Sequence, residues 1–418
     1  MTPDPRLKQI RLAVVKLTNR CNIRCKYCYE AIVNHGTDMT SVTFERILEA
    51  ILSSTSEATL LLVLHGGEPT ILSEEWFETN LARAYDMAAE YQKRLEISIQ
   101  TNLIDVSDEK LQIFLRYNVS VGGSLDNPNL LVESLRPLAS KAVNTYRRAT
   151  SLGLRVGLLA SINSSNIRAM PTFCEWLLHD LGVRHFKANI AYAVGAGLDL
   201  TLPTPEALFN AQRDIVEFML TTEGALIEDN LAREIVRYFE NYLGGRARPG
   251  ALCDDRRCGA GSKVIGISPG GSLLPCGRFA WNDTNHYLGA MQEPSDDEAN
   301  AFLENIDRFF ELEPQNWQYC DSCEARDICN FGCQAFIVRS KLKRNVECRP
   351  TQLRFEYYRG NQARLQSLYE RICERENRVP MSLFEQKVSK LLSMTPPVQH
   401  PAILAELNAA LQGEPLAP

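Results

Sequence analysis

Three cysteines fall within eight residues of TNRCNIRCKYCYE, Thr18 to Glu30. Thiolates ligate soft metals and iron–sulfur clusters, and a four-iron cluster is saturated when each iron carries one thiolate. Cys21, Cys25 and Cys28 supply only three, which leaves one iron open to bind another molecule. Their spacing, three intervening residues and then two, lets one loop grip three corners of a cube. Tyr27 sits where its ring could flank a planar ligand. The rival reading is a zinc loop completed by a distant residue such as His35 or His65.

The chain holds 13 cysteines in 418 residues, and eight more of them lie in a second region. Cys253 and Cys258 are followed by C-x12-G-x4-C spacing to Gly271 and Cys276, then by C-x2-C-x5-C-x3-C at 320, 323, 329 and 333, and by Cys348. Reduced compartments disfavour disulfides, so clustering of this kind points to metal. Zinc ribbons are the rival for the paired cysteines. Cys174 and Cys373 stand alone among apolar or helical patterns and read as small buried hydrophobes.

Elements that could position these ligands are legible as an alternation. IRLAVVKL and TLLLVLHGGEPT read as strands around a helix at SVTFERILEAILSS. Helices follow near Glu74 to Lys93, Asp108 to Arg116, Ser140 to Leu152 and Met170 to Leu181, with strands at LEISIQTN, VSVGGSLDNP, LRVGLLASIN and HFKANIAYA. Six strands in such a βα series imply an α/β fold, a parallel sheet whose polar tips converge on one rim: a full or partial barrel. A helical stretch spans Pro205 to Tyr242, GGRARPGAL marks a boundary, and KVIGISPGGSLLPC suggests a hairpin. The expected organisation is a core over 1–204, a helical bridge over 205–249, an irregular cysteine-rich domain over 250–360 and a helical tail over 361–418.

A net charge of −6 with interspersed signs excludes a basic field for nucleic acid, and RSKLKRN, Arg339 to Asn345, reads as a solvated face. There is no export signal and no apolar run long enough for a bilayer, so no membrane is expected and a cytoplasmic address is the default.

The CxxxCxφC loop after a first strand, φ being aromatic, resembles the radical S-adenosylmethionine (SAM) superfamily, implying a partial (β/α)6 barrel. Gly66-Gly67-Glu68-Pro69 is similar to the family's GGEP, whose backbone and carboxylate meet the methionine amine of SAM. Ser124 and Asp126 in SLDNP resemble its ribose-contacting turn, with Asn127 where glycine is usual. Arg136 matches an arginine near the SAM carboxylate, and Gln100 and Asn102 fill positions facing the SAM pocket. The second cysteine set resembles the SPASM domain. That resemblance implies two auxiliary 4Fe–4S clusters, one on Cys253, Cys258, Cys276 and Cys333 and one on Cys320, Cys323, Cys329 and Cys348, making three clusters in all.

Such members mostly modify peptides or proteins. In them the first cluster and SAM generate a 5′-deoxyadenosyl radical, and the auxiliary clusters accept the electron left when the substrate radical closes. Sulfatase-maturating relatives, which make formylglycine, usually carry an Asp directly after the cysteine aligned with Cys276, where this chain has Gly277. The expected function is therefore maturation of a ribosomally made precursor peptide, by an intramolecular C–C or thioether crosslink. Formylglycine formation, or peptide splicing or another oxidation, is the alternative. Arg278, Asp283 and His286 are candidates for the group that takes the proton. Expected partners are the precursor and an electron donor such as flavodoxin or ferredoxin; because only nine residues precede the first strand, the precursor is expected to dock on the barrel, on the C-terminal tail or on a separate leader-binding protein.

Overall fold

A computed structural model describes residues 3–30, 36–126, 135–245, 252–254, 258–291, 301–302, 304–307, 318–340, 345–376 and 380. His35, Asn127, most of GGRARPGAL, 341–344 of the basic run and nearly all of the tail after 376 lie outside the described residues.

Leu60, Leu62 and Leu64 are buried while their neighbours are less so, as a half-covered strand requires. They lie on β2 (Thr59–Gly66), between β1 (Leu12–Thr18) and β3 (Arg94–Thr101); β4 (Ser120–Ser124), β5 (Val156–Ile162) and β6 (His185–Ile190) follow. All neighbours from β1 to β6 pair in parallel. The crossovers are α1 (Ser41–Ser54), α2 (Glu74–Glu90), α3 (Asp108–Arg116), α4 (Ala139–Ser151) and α5 (Met170–His179). Thr40, Ser73 and Ser107 each accept a hydrogen bond from the backbone N–H three residues on, which starts α1, α2 and α3. Phe44, Ile47 and Ile51 of α1 and Phe77 and Leu81 of α2 are buried in the core these helices share with the sheet.

Two departures from the sequence expectation matter. The stretch expected to be helical throughout Pro205 to Tyr242 divides into α6 (Pro205–Thr221), a two-residue strand β7 (Ile227–Glu228), α7 (Asp229–Arg237) and a π-helical turn Tyr238–Leu243. Gly224 at φ +70 follows the end of α6, and Ile227 then pairs with His185 of β6. The expected hairpin forms as β8 (Val264–Ile267) and β9 (Ser272–Leu274), followed by β10 (Gly289–Ala290). It does not stand apart, because β8 pairs in parallel with β1 and the cysteine-rich segment extends the sheet. The ten strands run β10-β9-β8-β1-β2-β3-β4-β5-β6-β7, an open sheet rather than a closed one among the described residues. Among those residues no helix is long and apolar enough to cross a membrane.

The C-terminal helices Cys348–Gly360 and Gln362–Arg375 pack on α6 and α7. Buried Arg354 pairs with both carboxylate oxygens of buried Glu234 on α7, at 2.6 Å each, and also donates to Gln212 of α6. Tyr358 donates to Glu234 at 2.9 Å. Removing one member of such a pair strands the other charge. Arg354→Met is therefore expected to lower the unfolding free energy by about 3–5 kcal/mol in urea denaturation, with Glu234→Gln added to it restoring part of that loss.

Candidate active site and cysteine clusters

The cysteine loop leaves β1 at a register shift between Lys16 and Thr18 and is clamped against the end of β2. Gly67 donates its N–H to the Thr18 carbonyl and Glu68 to the Arg20 carbonyl, both at 2.8 Å. Gly66 has φ +131, and a Cβ there would lie 2.3 Å from the Thr18 carbonyl oxygen, so the clamp requires glycine.

Glu68 is buried and points inward. Its carboxylate accepts from Thr70 N–H at 3.0 Å, the Thr70 hydroxyl at 2.6 Å, the Thr101 hydroxyl at 2.8 Å and Asn102 N–H at 2.6 Å. The tips of β2 and β3 are joined through this one side chain. Asn102 in turn reaches the loop, its amide nitrogen 2.8 Å from Asn22 Oδ1 and 3.7 Å from Cys21 Sγ.

Tyr27 ties the loop to the end of β4. Its hydroxyl donates to Asp126, and Arg136 Nε donates to Tyr27 at 2.9 Å and pairs with Asp126 at 3.2 Å. The Arg136 guanidinium also lies 5.6 Å from the centre of the Tyr27 ring. Asp126 Oδ1 accepts from Ser161 N–H at 2.9 Å, and Gln100 donates to Ser124 at 3.0 Å, so the tips of β3, β4 and β5 are cross-linked as well. From the β6 side, Gly195 at φ +60 would place a Cβ 2.5 Å from the Cys28 carbonyl, and Ala196 N–H donates to that carbonyl at 2.8 Å.

The clustered thiols interact in three groups. Cys25 feels Cys21, and Cys28 feels Cys25. Cys276 feels Cys333, Cys258 and Cys253, and all four line one cavity of about 240 Å³. Cys320 feels Cys348 and Cys323, while Cys329 feels Cys348. Burial pushes the thiols up, Cys25 to about 11 and Cys28 and Cys329 to about 12, so ligation has to displace protons. Among the described residues no three His, Cys, Asp or Glu side chains converge on the space of a single ion. Backbone N–H groups point at two of the sulfurs, Arg278 at Cys276 over 3.4 Å and Phe331 at Cys329 over 3.2 Å, as cluster thiolates favour.

His65 has both ring nitrogens engaged. Nδ1 accepts from Gly66 N–H at 2.7 Å, which leaves the proton on Nε2, 3.3 Å from the Tyr29 hydroxyl; burial lowers its pKa to about 3. Asp283 pairs with His286 at 2.9 Å, and neither lines the four-thiol cavity. Arg278 does line it, but a guanidinium cannot serve as a base. Sequence reading missed the residues that connect the loop to the later cysteines. Buried Lys16 donates to Glu30 and to the Phe279 carbonyl, and Arg339 donates to the carbonyls of Tyr29 and Arg278. Arg339 belongs to the basic run read as a solvated face, yet its side chain is only 10% exposed. Tyr29, next to Cys28 in KYCYE, was the available signal.

Gly66→Ala tests the clamp. The substitution is expected to leave far-UV circular dichroism close to that of the parent and to lower the iron retained after anaerobic reconstitution, because the backbone beneath Cys21 has to shift.

A family model described as the radical SAM superfamily matches residues 15–176. The PqqA peptide cyclase of Methylorubrum extorquens is 25% identical over 353 residues, 77% of this chain and 79% of the cyclase. Mycofactocin maturase MftC of Mycolicibacterium smegmatis is 24% identical over 334 residues, 77% of each chain. Among solved structures, anSMEcpe with bound AdoMet and a peptide aligns with TM-score 0.69 at 17% identity, over 86% of this chain and 99% of that one, a likeness of fold. The β1 loop with its three thiols, the six-strand parallel sheet and the matched residues agree: this chain carries a radical SAM domain.

Proposed function

We propose that the chain is a radical SAM maturase that modifies a ribosomally made precursor peptide, most simply by an intramolecular crosslink. The observation that carries the reading is the grouping of thiols, three at the tip of β1 and four lining a cavity that Arg278, lying against the Tyr29 ring, also lines. The names of the relatives, a peptide cyclase and a maturase, support a peptide substrate.

A 4Fe–4S cluster with one open iron, together with SAM, supplies when bound the radical that takes a hydrogen atom from an unactivated C–H bond. The donor set fits such a group, since Cys21, Cys25 and Cys28 present three interacting thiols and Asn102 reaches the sulfur of Cys21. In this reading Gly66 and Gly67 offer backbone to SAM. Glu68 holds Thr101 and Asn102 in place from beneath rather than lending its carboxylate alone. Gln100 and Ser124 form one wall, and the Tyr27, Asp126 and Arg136 set fixes a charged partner beside Cys25. The four-thiol sets, Cys253, Cys258, Cys276 and Cys333, and Cys320, Cys323, Cys329 and Cys348, each fit a further 4Fe–4S cluster. The reading is completed by an external one-electron donor of the flavodoxin or ferredoxin class and a separate leader-binding protein.

Formylglycine formation is disfavoured by packing as well as by sequence. A Cβ on Gly277 would lie 2.5 Å from Val14 Cγ1 and 2.8 Å from its Cβ, stiff β-branched atoms on β1, so an acid cannot be placed there without moving the strand.

Two experiments test the proposal. Anaerobically reconstituted protein is expected to hold about twelve irons, and the Cys21→Ala, Cys25→Ala, Cys28→Ala triple variant about eight with no SAM cleavage. Zinc near two per chain with little iron would overturn it, as would SAM cleavage by the triple variant. The Cys320→Ala, Cys323→Ala variant, checked for fold by circular dichroism, is expected to keep some 5′-deoxyadenosine formation and to lose peptide modification. Mass spectrometry of a coexpressed precursor reads the latter as absence of the two-hydrogen loss expected with the parent enzyme.

A further inference from the structure

Arg278 lines the four-thiol cavity and lies against Tyr29, the residue that follows Cys28. It follows Cys276 by two residues, and its guanidinium lies 5.6 Å from the Tyr29 ring centre and 5.2 Å from that of Phe336. Tyr29 adjoins Cys28, and Phe336 stacks on Tyr192 at 4.3 Å. Among the described residues the guanidinium has no hydrogen bond and no ion pair, although it lines the cavity that holds Cys253, Cys258, Cys276 and Cys333. Its charge interacts with Cys253, Cys276 and Cys333. The other cations whose partners are placed along that cavity are occupied, Arg354 by Glu234 and Arg237 by the Ile328 carbonyl. The Arg278 backbone is pinned by Arg339, which donates to its carbonyl, and by its own N–H toward Cys276 Sγ.

We propose that Arg278 is the counter-charge of a cluster held by Cys253, Cys258, Cys276 and Cys333, and that it raises the reduction potential of that cluster. The inference rests on the proposal above that those four thiols hold a cluster. A four-thiolate cube gains one negative charge on reduction, so a cation fixed against it in a buried site favours the reduced state. Tyr29 and Phe336, whose ring centres are 5.8 Å apart, together offer the guanidinium an aromatic wall, and neither supplies a competing anion.

The test is an EPR-monitored potentiometric titration of the reconstituted holoprotein. The signal of this cluster is the one lost in Cys276→Ala. In Arg278→Gln its midpoint is expected to fall, with a roughly tenfold lower ratio of reduced to oxidised cluster at fixed potential, about 59 mV for a one-electron couple. Arg278→Lys keeps the charge and is expected to stay near the parent value. Equal iron content across the three proteins checks that the cluster is present. An unchanged midpoint in Arg278→Gln overturns this inference alone, as does a Lys variant that departs by the full shift. Iron content in Cys276→Ala equal to the parent overturns both this inference and the cluster assignment beneath it.

Discussion

An ammonium group buried on β1 sets the terms for everything around the site. Lys16 is 1% exposed, and a charge in that position has to be met by partners from wherever the chain can bring them. They come from two distant places: the carboxylate of Glu30, at the end of the cysteine loop, and the carbonyl of Phe279, three residues after Cys276. One strand of the sheet is thereby made to hold the first cysteine set and the second at once. The Tyr29 ring, surrounded by Lys16, Arg278 and Arg339, fills the space between them.

That demand explains why the cysteine-rich segment is not an independent appendage. Its strand β8 lies along the edge of β1 that β2 does not use, so the segment gains a backbone ladder instead of relying on its own small core. The same closeness removes freedom at particular positions. Gly277 is pressed on Val14, and Gly266 would place a Cβ 2.4 Å from the Cys276 carbonyl. Both glycines allow backbone to approach backbone or strand beside Cys276.

On the opposite side, the Arg354, Glu234 and Gln212 network fastens the helix that begins at Cys348 to α6 and α7. Cys348 thus sits at the start of a helix whose position is set by a buried ion pair six residues on, and Cys320, Cys323 and Cys329 gather near it.

Much of this was open to reading because it depends on local pattern. The helices α1 and α3 occupy the residues their periodicity marked, because Thr40 and Ser107 cap them and apolar residues repeat at helical spacing. The division of the clustered cysteines into three, four and four was what the resemblance to known sets implied. What the chain order could not express was orientation and long-range pairing. GGEP was recognisable, but that Glu68 turns inward to four donors depends on Thr101 and Asn102 arriving from β3. Tyr27 was recognisable, but its bond to Asp126 requires the tip of β4 beside the loop. The run RSKLKRN looked solvated because its composition is basic, and only the fold placed Arg339 on the carbonyls of Tyr29 and Arg278. Periodicity and spacing are properties of neighbouring residues, whereas the partner of a buried charge or the edge chosen by β8 is decided by groups hundreds of positions away, when desolvation forces each polar atom to find a mate.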